Sequence, residues 1–301
     1  MTKPQRLKPN DKVAIIATSS PCKEDILLKG LEVLKEMGLR PVVTESCTKT
    51  HDYLAADDNT RLNDLHSSFA NKEIKGIFVA RGGYGAGRLL PRINYEIIKQ
   101  NPKVFVGFSD VTALHIVFNQ LCNLITFHGP MPGANLHKAH PLTLSSLSQV
   151  LDKPHVAPAQ VPKPTVLIPG NPTGILTGGN LSVIASTLGT PYEINTHNRI
   201  LFLEDIAEKP YKVDRLFLQL KQTGKFKDAA GIVLGDFSPE TTETLHTAIN
   251  EIIMPENKPT ICNFPCGHTS PTLTIPLGIK VSLHQLQKYG RFENLTEHTQ
   301  F

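Results

Sequence analysis

Two kinds of apolar segment alternate up to about residue 150 of this sequence. Short β-branched runs such as Val13–Ala17 and Gly76–Ala80 are typical of buried strands, whereas Ile26–Met37 carries apolar residues at helical spacing. The same criteria predict strands at Pro41–Thr44, Val104–Val106 and Leu124–Phe127, and a helix at Arg61–Ala70. Because strands separated by helices are joined by crossovers, the alternation predicts an α/β fold whose parallel sheet is covered on both faces.

A proline-rich segment interrupts this pattern. Residues 153–172 hold six of the 23 prolines and little periodicity, so they are predicted to be a linker. Beyond it, strands are predicted at Ile200–Leu203, Gly231–Leu234, Pro259–Asn263 and Leu273–Ile275, and helices at Leu181–Leu188, Tyr211–Gln222 and Thr242–Ile253. The sequence thus predicts an N-terminal domain over residues 1–152 and a strand-rich C-terminal α/β domain over 173–301.

Composition excludes several classes of protein. With 40% hydrophobic and 19% charged residues, the chain is typical of globular proteins. Its net charge of +4 is small and dispersed, which argues against a nucleic-acid partner. No run approaches the ~20 apolar residues of a membrane-spanning helix, and no signal-peptide core opens the sequence. Five cysteines, an odd number, suit reduced thiols, so we expect a cytoplasmic protein without a membrane partner.

The stretch Val104–Phe118 has the pattern of a nucleophile elbow. A buried strand breaks at Gly107-Phe108-Ser109-Asp110 and continues as a helix, which would push the Ser109 hydroxyl out of the sheet beside backbone N–H groups. Gly107 leaves room for the turn, but Val111 stands where such elbows usually have a second glycine. The alternative is that Ser109 or Asp110 only caps the helix.

A serine nucleophile needs a base and a group that orients the base. Of the twelve histidines, His268 follows a predicted strand in a glycine-flanked loop, although spacing alone favours a structural histidine bonded to the backbone. His128 is a rival that we interpret as shaping the pocket, and His115 is predicted to be a packed helix residue. A predicted buried strand ends in Glu204-Asp205, where a carboxylate would need a cationic partner or would cap the next segment of the chain.

Three further patterns have alternative interpretations. The turn Arg81-Gly82-Gly83-Tyr84-Gly85 follows a predicted strand and would expose N–H groups to an anion, but it is not a Walker A loop and would serve an oxyanion equally well. Cys262, Cys266 and His268 do not have a usual zinc spacing, so no metal or other cofactor is expected. Thr177–Asn180 precedes a predicted helix and could bind an anion, but it is interpreted as a place of close backbone packing.

Together, several motifs closely resemble the LD-carboxypeptidase family, cytoplasmic serine peptidases that remove the terminal D-alanine from murein tetrapeptides. The resemblance extends from Lys12 to about Leu283. The motifs that carry it are Ala80–Gly85, Gly107–Asp110, Phe127–Pro130, Thr177–Asn180, Leu203–Asp205 and Gly267–Thr269.

The resemblance implies residue roles and a cleft between the two domains as the active site. Ser109 would be the nucleophile, His268 the base and Glu204 the acid that supports it, with the N–H groups of Gly83 and Asp110 as the oxyanion hole. Arg81 is expected to bind the substrate's terminal carboxylate. The resemblance implies a murein peptide substrate, no cofactor and a homodimer. Two alternatives remain: a microcin-immunity peptidase that cleaves a peptidyl-nucleotide, or a non-catalytic nucleotide- or sugar-binding module.

Overall fold

The computed structural model describes residues 1–151, 162–237 and 242–287. Its strands are β1 (Lys12–Ile16), β2 (Arg40–Val43), β3 (Ile74–Val79), β4 (Val104–Gly107), β5 (Thr126–His128), β6 (Thr165–Ile168), β7 (Thr173–Asn180), β8 (Arg199–Glu204), β9 (Gly231–Leu234), β10 (Thr260–Cys262), β11 (Ile275–Leu277) and β12 (Lys280–Ser282). Its α-helices are α1 (Glu24–Glu36), α2 (Asp58–Ala70), α3 (Tyr95–Gln100), α4 (Thr112–Cys122), α5 (Pro141–Leu147), α6 (Leu181–Ser186), α7 (Pro210–Gln222), α8 (Lys225–Asp228), α9 (Thr242–Ala248) and α10 (Leu283–Gln287).

The first sheet has the strand order β11-β5-β4-β3-β1-β2 and is parallel except for β11, which pairs antiparallel with β5. Helices cover both of its faces. On one face, the rings of Phe69, Phe105 and Phe118 pack at centroid distances of 5.0–6.1 Å. On the other face, α1 buries Leu27, Leu31 and Leu34. This double cover explains why the interior strands β3 and β4 are buried along almost their whole length, whereas the edge strand β2 is mostly exposed.

The second sheet has the order β12-β7-β8-β9-β10-β6. Strands β7 to β10 are parallel, and the two edge strands are antiparallel to their neighbours. Helix α7 buries Val213, Phe217 and Leu220 on one side, while Phe202 and Phe264 lie in the core on the other. The predicted α/β fold with two units is therefore confirmed, and every predicted strand and helix overlaps an observed one.

Two strands depart from the predicted domain boundaries. Thr165–Ile168 lies within the predicted linker but forms edge strand β6, which pairs with β10. Prolines on both sides suit an edge strand, because an edge tolerates missing N–H donors. Residues 153–161 of that linker lie outside the described residues. Strand β11, predicted within the C-terminal domain, returns to the first sheet, so the chain does not divide cleanly at residue 173.

The two units meet where their parallel strands end. The N–H of Asn180, at the end of β7, donates to Thr112 Oγ1 at the start of α4 over 3.0 Å. At Gly179, with φ of 139°, a β-carbon would lie 2.4 Å from that same hydroxyl. Only glycine permits this approach. The close packing predicted for Thr177–Asn180 is thus confirmed, and it fixes one strand end against the other unit.

In the described part of the chain, none of the helices has the length and apolar character needed to cross a bilayer.

Candidate active site

Strand β4 ends in a sharp, strained turn at Ser109. This serine has φ of 65°, a left-handed conformation that costs a non-glycine residue about 1–3 kcal/mol. A 3₁₀ turn over Ser109–Val111 then leads into α4. A β-carbon on Gly107 would lie 3.0 Å from a methyl of Val111, so the glycine leaves room for close packing at the turn. The predicted strand–turn–helix geometry is present, and Val111 occupies the second glycine position as a fully buried side chain.

The side chain of Asp110 ties this turn to the glycine-rich loop. It is buried, and its Oδ2 accepts hydrogen bonds from Ser19 Oγ at 2.6 Å and from the Ala86 N–H at 2.8 Å. Burial raises the pKa of Asp110, although these two donors favour the charged form. Sequence reasoning assigned only the N–H of Asp110 to the site and missed this bracing role of its carboxylate.

The glycine-rich loop lies directly against the serine. A β-carbon on Gly82 would stand 3.0 Å from Ser109 Oγ. Gly83 has φ of 107°, and a β-carbon there would lie 2.4 Å from Ser20 Oγ. The Gly82 carbonyl accepts from the Ser20 N–H at 3.2 Å, and the Tyr84 N–H donates to Ser20 Oγ at 3.2 Å. Backbone groups of this loop are therefore fixed beside the hydroxyl, as an oxyanion hole requires.

A buried arginine that sequence reasoning missed holds the far end of the loop. Arg61, fully buried at the start of α2, donates from Nη1 to the carbonyls of Gly85, at 3.0 Å, and Thr18. Its Nε bonds the Ala56 carbonyl at 3.1 Å, and Nη2 pairs with Asp58 at 2.5 Å. The sequence feature that could have identified Arg61 is its position on the apolar face of α2, four residues before the core residue Leu65.

Arg81 is exposed at the start of the loop. Its Nη1 donates to the carbonyl of Pro21 at 2.7 Å. This bond anchors the side chain on the segment that follows β1, next to the loop that faces Ser109.

Glu204 and His268 form a close pair. Glu204 ends β8 and is fully buried, and its Oε2 lies 2.6 Å from His268 Nδ1. Burial raises the pKa of Glu204 despite the imidazole beside it. For His268, burial acts to lower the pKa, but the charge and hydrogen bond of Glu204 outweigh it, so the pKa is raised. Each partner therefore favours a charged form of the other.

The loop that carries His268 is shaped by Gly267, whose φ is 149°. A β-carbon there would lie 3.1 Å from Glu204 Oε2, so a larger residue would push into the pair. The Gly267 N–H donates to Thr272 Oγ1 at 3.0 Å. The ring of Phe108, the residue before Ser109, packs on the imidazole at a centroid distance of 4.7 Å. The elbow of one unit and the histidine of the other are thereby brought together.

Asp205 has a different role from its neighbour Glu204. Its carboxylate accepts from Asn180 Nδ2 at 2.9 Å, and from the N–H and hydroxyl of Ser182 at 2.9 and 2.7 Å. These bonds fix the first turn of α6, which precedes Asp205 in the chain, so they differ from the capping of the following segment that was the alternative for this residue.

Asp236 is a second carboxylate near the imidazole that sequence reasoning missed. It follows β9, the strand beside β8, and its Oδ2 accepts from the Thr269 hydroxyl. Burial raises the pKa of Asp236 to about 6, with the charge of Glu204 adding to the effect. The signal was a polar residue just after a buried strand, the same signal that marked Glu204.

Two further histidines lie buried below the site. His128 is buried between the rings of Phe108 and Phe202, at centroid distances of 5.6 and 5.4 Å. Burial, then the charges of His115 and His268, place the pKa of His128 well below its usual range. His115 Nε2 lies 2.8 Å from the Gly107 carbonyl, and burial lowers its pKa to about 4. Both rings pack under the elbow, which fits the pocket-shaping interpretation of His128.

These groups follow the carboxyl ends of parallel strands, the edge at which open α/β sheets bind ligands. Serine hydrolases use the same set of groups: a serine on an elbow, backbone donors beside it, and an imidazole paired with a buried carboxylate. Among the described residues, no group of three or more His, Cys, Asp or Glu is arranged to hold a metal ion.

The chain belongs to the LD-carboxypeptidase family and is a peptidase of that class. Residues 13–129 match the LD-carboxypeptidase N-terminal domain and residues 173–283 the C-terminal domain. It is 39% identical to a probable murein peptide carboxypeptidase of Bacillus subtilis strain 168, over 97% of this chain and 94% of that protein.

Solved structures in the family have the same fold. A muramoyltetrapeptide carboxypeptidase from Oxalobacter formigenes superposes with a TM-score of 0.79 at 28% identity, covering 90% of this chain and 94% of the other. An MccF-like protein from Bacillus anthracis strain Ames gives 0.85 at 25% identity, covering 94% and 95%.

Proposed function

We propose that this peptidase hydrolyses the L-diaminoacyl–D-alanine bond of murein tetrapeptides through an acyl-enzyme. The observation that carries the proposal is the buried Glu204–His268 pair, 2.6 Å apart, packed against the elbow of Ser109. The names of the similar proteins from Bacillus subtilis and Oxalobacter formigenes support a murein peptide as the substrate.

In the proposed reaction, His268 takes the proton of the Ser109 hydroxyl as Oγ attacks the scissile carbonyl carbon. The imidazolium then gives that proton to the leaving amine, and free D-alanine departs as the C–N bond breaks. Water attacks the resulting ester, with His268 again as base, and the shortened peptide leaves with a new carboxylate. Glu204 accepts from Nδ1–H throughout, which fixes the tautomer and stabilises the imidazolium.

The N–H groups of Gly83 and Asp110 are proposed to stabilise the oxyanion. Support comes from the position of the glycine-rich loop, which approaches Ser109 Oγ so closely that Gly82 has no room for a side chain. A single donor of this kind is worth about 3–4 kcal/mol of barrier. The buried carboxylate of Asp110 contributes indirectly, because it accepts a hydrogen bond from the Ala86 N–H and so helps to hold the two donors in position.

Arg81 is proposed to recognise the free carboxylate of the terminal residue. Its anchor on the Pro21 carbonyl uses one Nη1 donor of a guanidinium that has five, and the side chain is exposed at the mouth of the loop. A planar guanidinium can bind a carboxylate through two parallel hydrogen bonds. Recognition of that group would restrict cleavage to the last peptide bond.

The broader setting is also part of the proposal: a cytoplasmic homodimer that takes part in cell-wall recycling. All five cysteines are free thiols, which suits a reducing compartment. Light scattering after size-exclusion chromatography tests the dimer directly.

The test is incubation of the enzyme with murein tetrapeptide and mass measurement of the products. We expect free alanine and the tripeptide, no cleavage of a peptide ending in L-alanine, and no product from Ser109→Ala.

A second candidate substrate is a microcin-type peptidyl-nucleotide, because MccF, whose relatives superpose well on this chain, is the microcin C7 self-immunity protein of Escherichia coli. The chain has no tryptophan with which to stack a base, which disfavours it. Cleavage of a peptidyl-nucleotide but not of the tetrapeptide would reverse this preference.

The third alternative from the sequence, a binding module without catalysis, is set aside because the chain belongs to a peptidase family.

A further inference from the structure

A cleft of about 620 Å³ lies at the edge of the first sheet opposite Ser109. Its walls come from the arm before β1, the turn between α2 and β3, and the connection between α3 and β4. These are the amino ends of the strands, whereas the catalytic candidates follow carboxyl ends. Strand β3 has six residues at ~3.3 Å each, so the cleft is roughly 20 Å from the catalytic edge.

The charge of this cleft is strongly one-sided. Of the described residues that line it, six are cationic and one is acidic. The cations are Lys3, Arg6, Lys8, Lys72, Lys75 and Lys103. The acid, Asp11, already accepts from the Lys8 N–H at 2.7 Å. Glu73, which follows Lys72 in sequence, is paired with Lys12 at 2.7 Å. The lining is thus far more basic than a chain whose total net charge is +4.

One of these cations is held in place by burial. Lys103 is 7% exposed, and its Nζ donates to the carbonyls of Ser68, at 2.8 Å, and Asn71 at the end of α2. Burial, then the charges of Lys72 and Lys75, lowers its pKa to about 8. Because Lys72, Lys75 and Lys103 line the same cleft, their like charges repel one another, and an anion between them would relieve that repulsion.

We propose that this cleft binds a small polyanion that carries two or more phosphate groups. Lysine ammonium groups bind phosphate as point charges, and the volume lies within the 300–1,000 Å³ range of small-molecule sites. Ile74 and Pro102 are the apolar residues among the described lining, and it includes no aromatic ring. The cleft would therefore recognise the phosphate groups of its ligand rather than a nucleotide base. The concave shape favours a compact ligand over a nucleic acid.

Isothermal titration with sodium tripolyphosphate tests this site, first at low salt and then at about 0.15 M ionic strength. The test variant is Lys72→Gln/Lys75→Gln, since both side chains are exposed. The control is Lys29→Gln/Lys227→Gln, which removes the same charge from exposed positions on α1 and α8. We expect one bound ion per chain, a loss of affinity of at least about tenfold in the test variant and less than about twofold in the control.

Three results would overturn the proposal: equal loss in both variants, no binding at about 0.15 M ionic strength, or displacement by a single-stranded oligonucleotide at the same phosphate concentration. The thermal unfolding midpoints of all proteins should agree within a few degrees. If the double variant fails this check, Lys8→Gln provides the same comparison at one exposed position. No peptide substrate is used, so the outcome is independent of the proposed peptidase reaction.

Discussion

Replacing Glu204 with glutamine tests the proposed catalytic pair with little change in shape. The carboxylate oxygen Oε2 lies 2.6 Å from His268 Nδ1, and the side chain is fully buried. An amide there keeps the volume but loses the charge. It can also turn its NH₂ toward Nδ1, which would hold the imidazole in the tautomer that cannot accept the Ser109 proton.

The size of the effect can be worked out from that geometry. Unit charges about 4 Å apart at an effective dielectric constant of about 20 attract by about 4 kcal/mol. Since each ~1.4 kcal/mol is tenfold in rate, losing this support for the imidazolium costs about 10³-fold. A fixed wrong tautomer raises the loss toward about 10⁴-fold, the effect of the corresponding change in a Ser-His-Asp triad. Burial leaves no water to replace the charge.

The assay is the release of D-alanine from murein tetrapeptide, with kcat/KM measured against pH. In the wild type, Glu204 raises the pKa of His268, and the base acts in its neutral form. Activity should therefore fall as pH drops through that raised pKa. In Glu204→Gln the pKa of His268 should be lower, so the acid limb should move to lower pH while the plateau falls. A structural role alone would not move this limb.

The matched control is Asp205→Asn, one residue along the chain. Asp205 bonds Asn180 and Ser182 rather than the imidazole, so its amide should retain activity within about tenfold and leave the acid limb in place. Circular dichroism and the unfolding midpoint check both variants. A loss below about tenfold in Glu204→Gln, or a larger loss in Asp205→Asn, would show that the acid is wrongly assigned.

Three further substitutions test the nucleophile, the carboxylate-binding residue and the loop. Ser109→Ala should abolish hydrolysis while leaving peptide binding, measured by titration, nearly unchanged; retained turnover above a few per cent would mean that another group attacks. Arg81→Lys should weaken tetrapeptide cleavage and reduce the preference for the free acid over its C-terminal amide, and an unchanged preference would remove Arg81 from the site. Gly82→Ala should lower kcat by about tenfold or more, because the new methyl would stand 3.0 Å from Ser109 Oγ, and a normal kcat would contradict the placement of the loop.

The spacing of apolar residues in the sequence was enough to predict the strands and helices that are buried in a regular way. Strands β3 and β4 are apolar along almost their whole length, and α1 buries Leu27, Leu31 and Leu34 on one face. The spacing of their apolar residues therefore matches the faces that are buried in the structure. Strand β7 was missed because Gly178 and Gly179 lower its strand propensity, yet its backbone must pass so close to Phe202 and Thr112 that larger residues would clash.

The position of β11 could not be predicted from sequence alone. Residues Ile275–Leu277 have the pattern of a short apolar strand, which fits the edge of either sheet equally well. In the structure, β11 pairs with β5 in the first sheet, a tertiary choice that the local pattern does not contain. The run Thr165–Ile168 posed the opposite problem, because prolines around a short strand resemble a linker until a partner, β10, is known.

The candidate site shows the same division between local and tertiary information. Each proposed catalytic residue ends or follows a buried strand, and Asp236 also follows one, so the same rule would have found it. What the rule could not supply was pairing: Glu204 and His268 are 64 positions apart, and only the parallel order β8-β9-β10 brings the ends of their strands to one edge. The role of Arg61 was harder still to predict, because arginine side chains are usually exposed and this one is fully buried. Its role becomes clear only in the folded structure, where it donates to the carbonyls of Thr18 and Gly85. Residues that brace a site are therefore the ones sequence reasoning misses, since their signal lies in the backbone groups they satisfy.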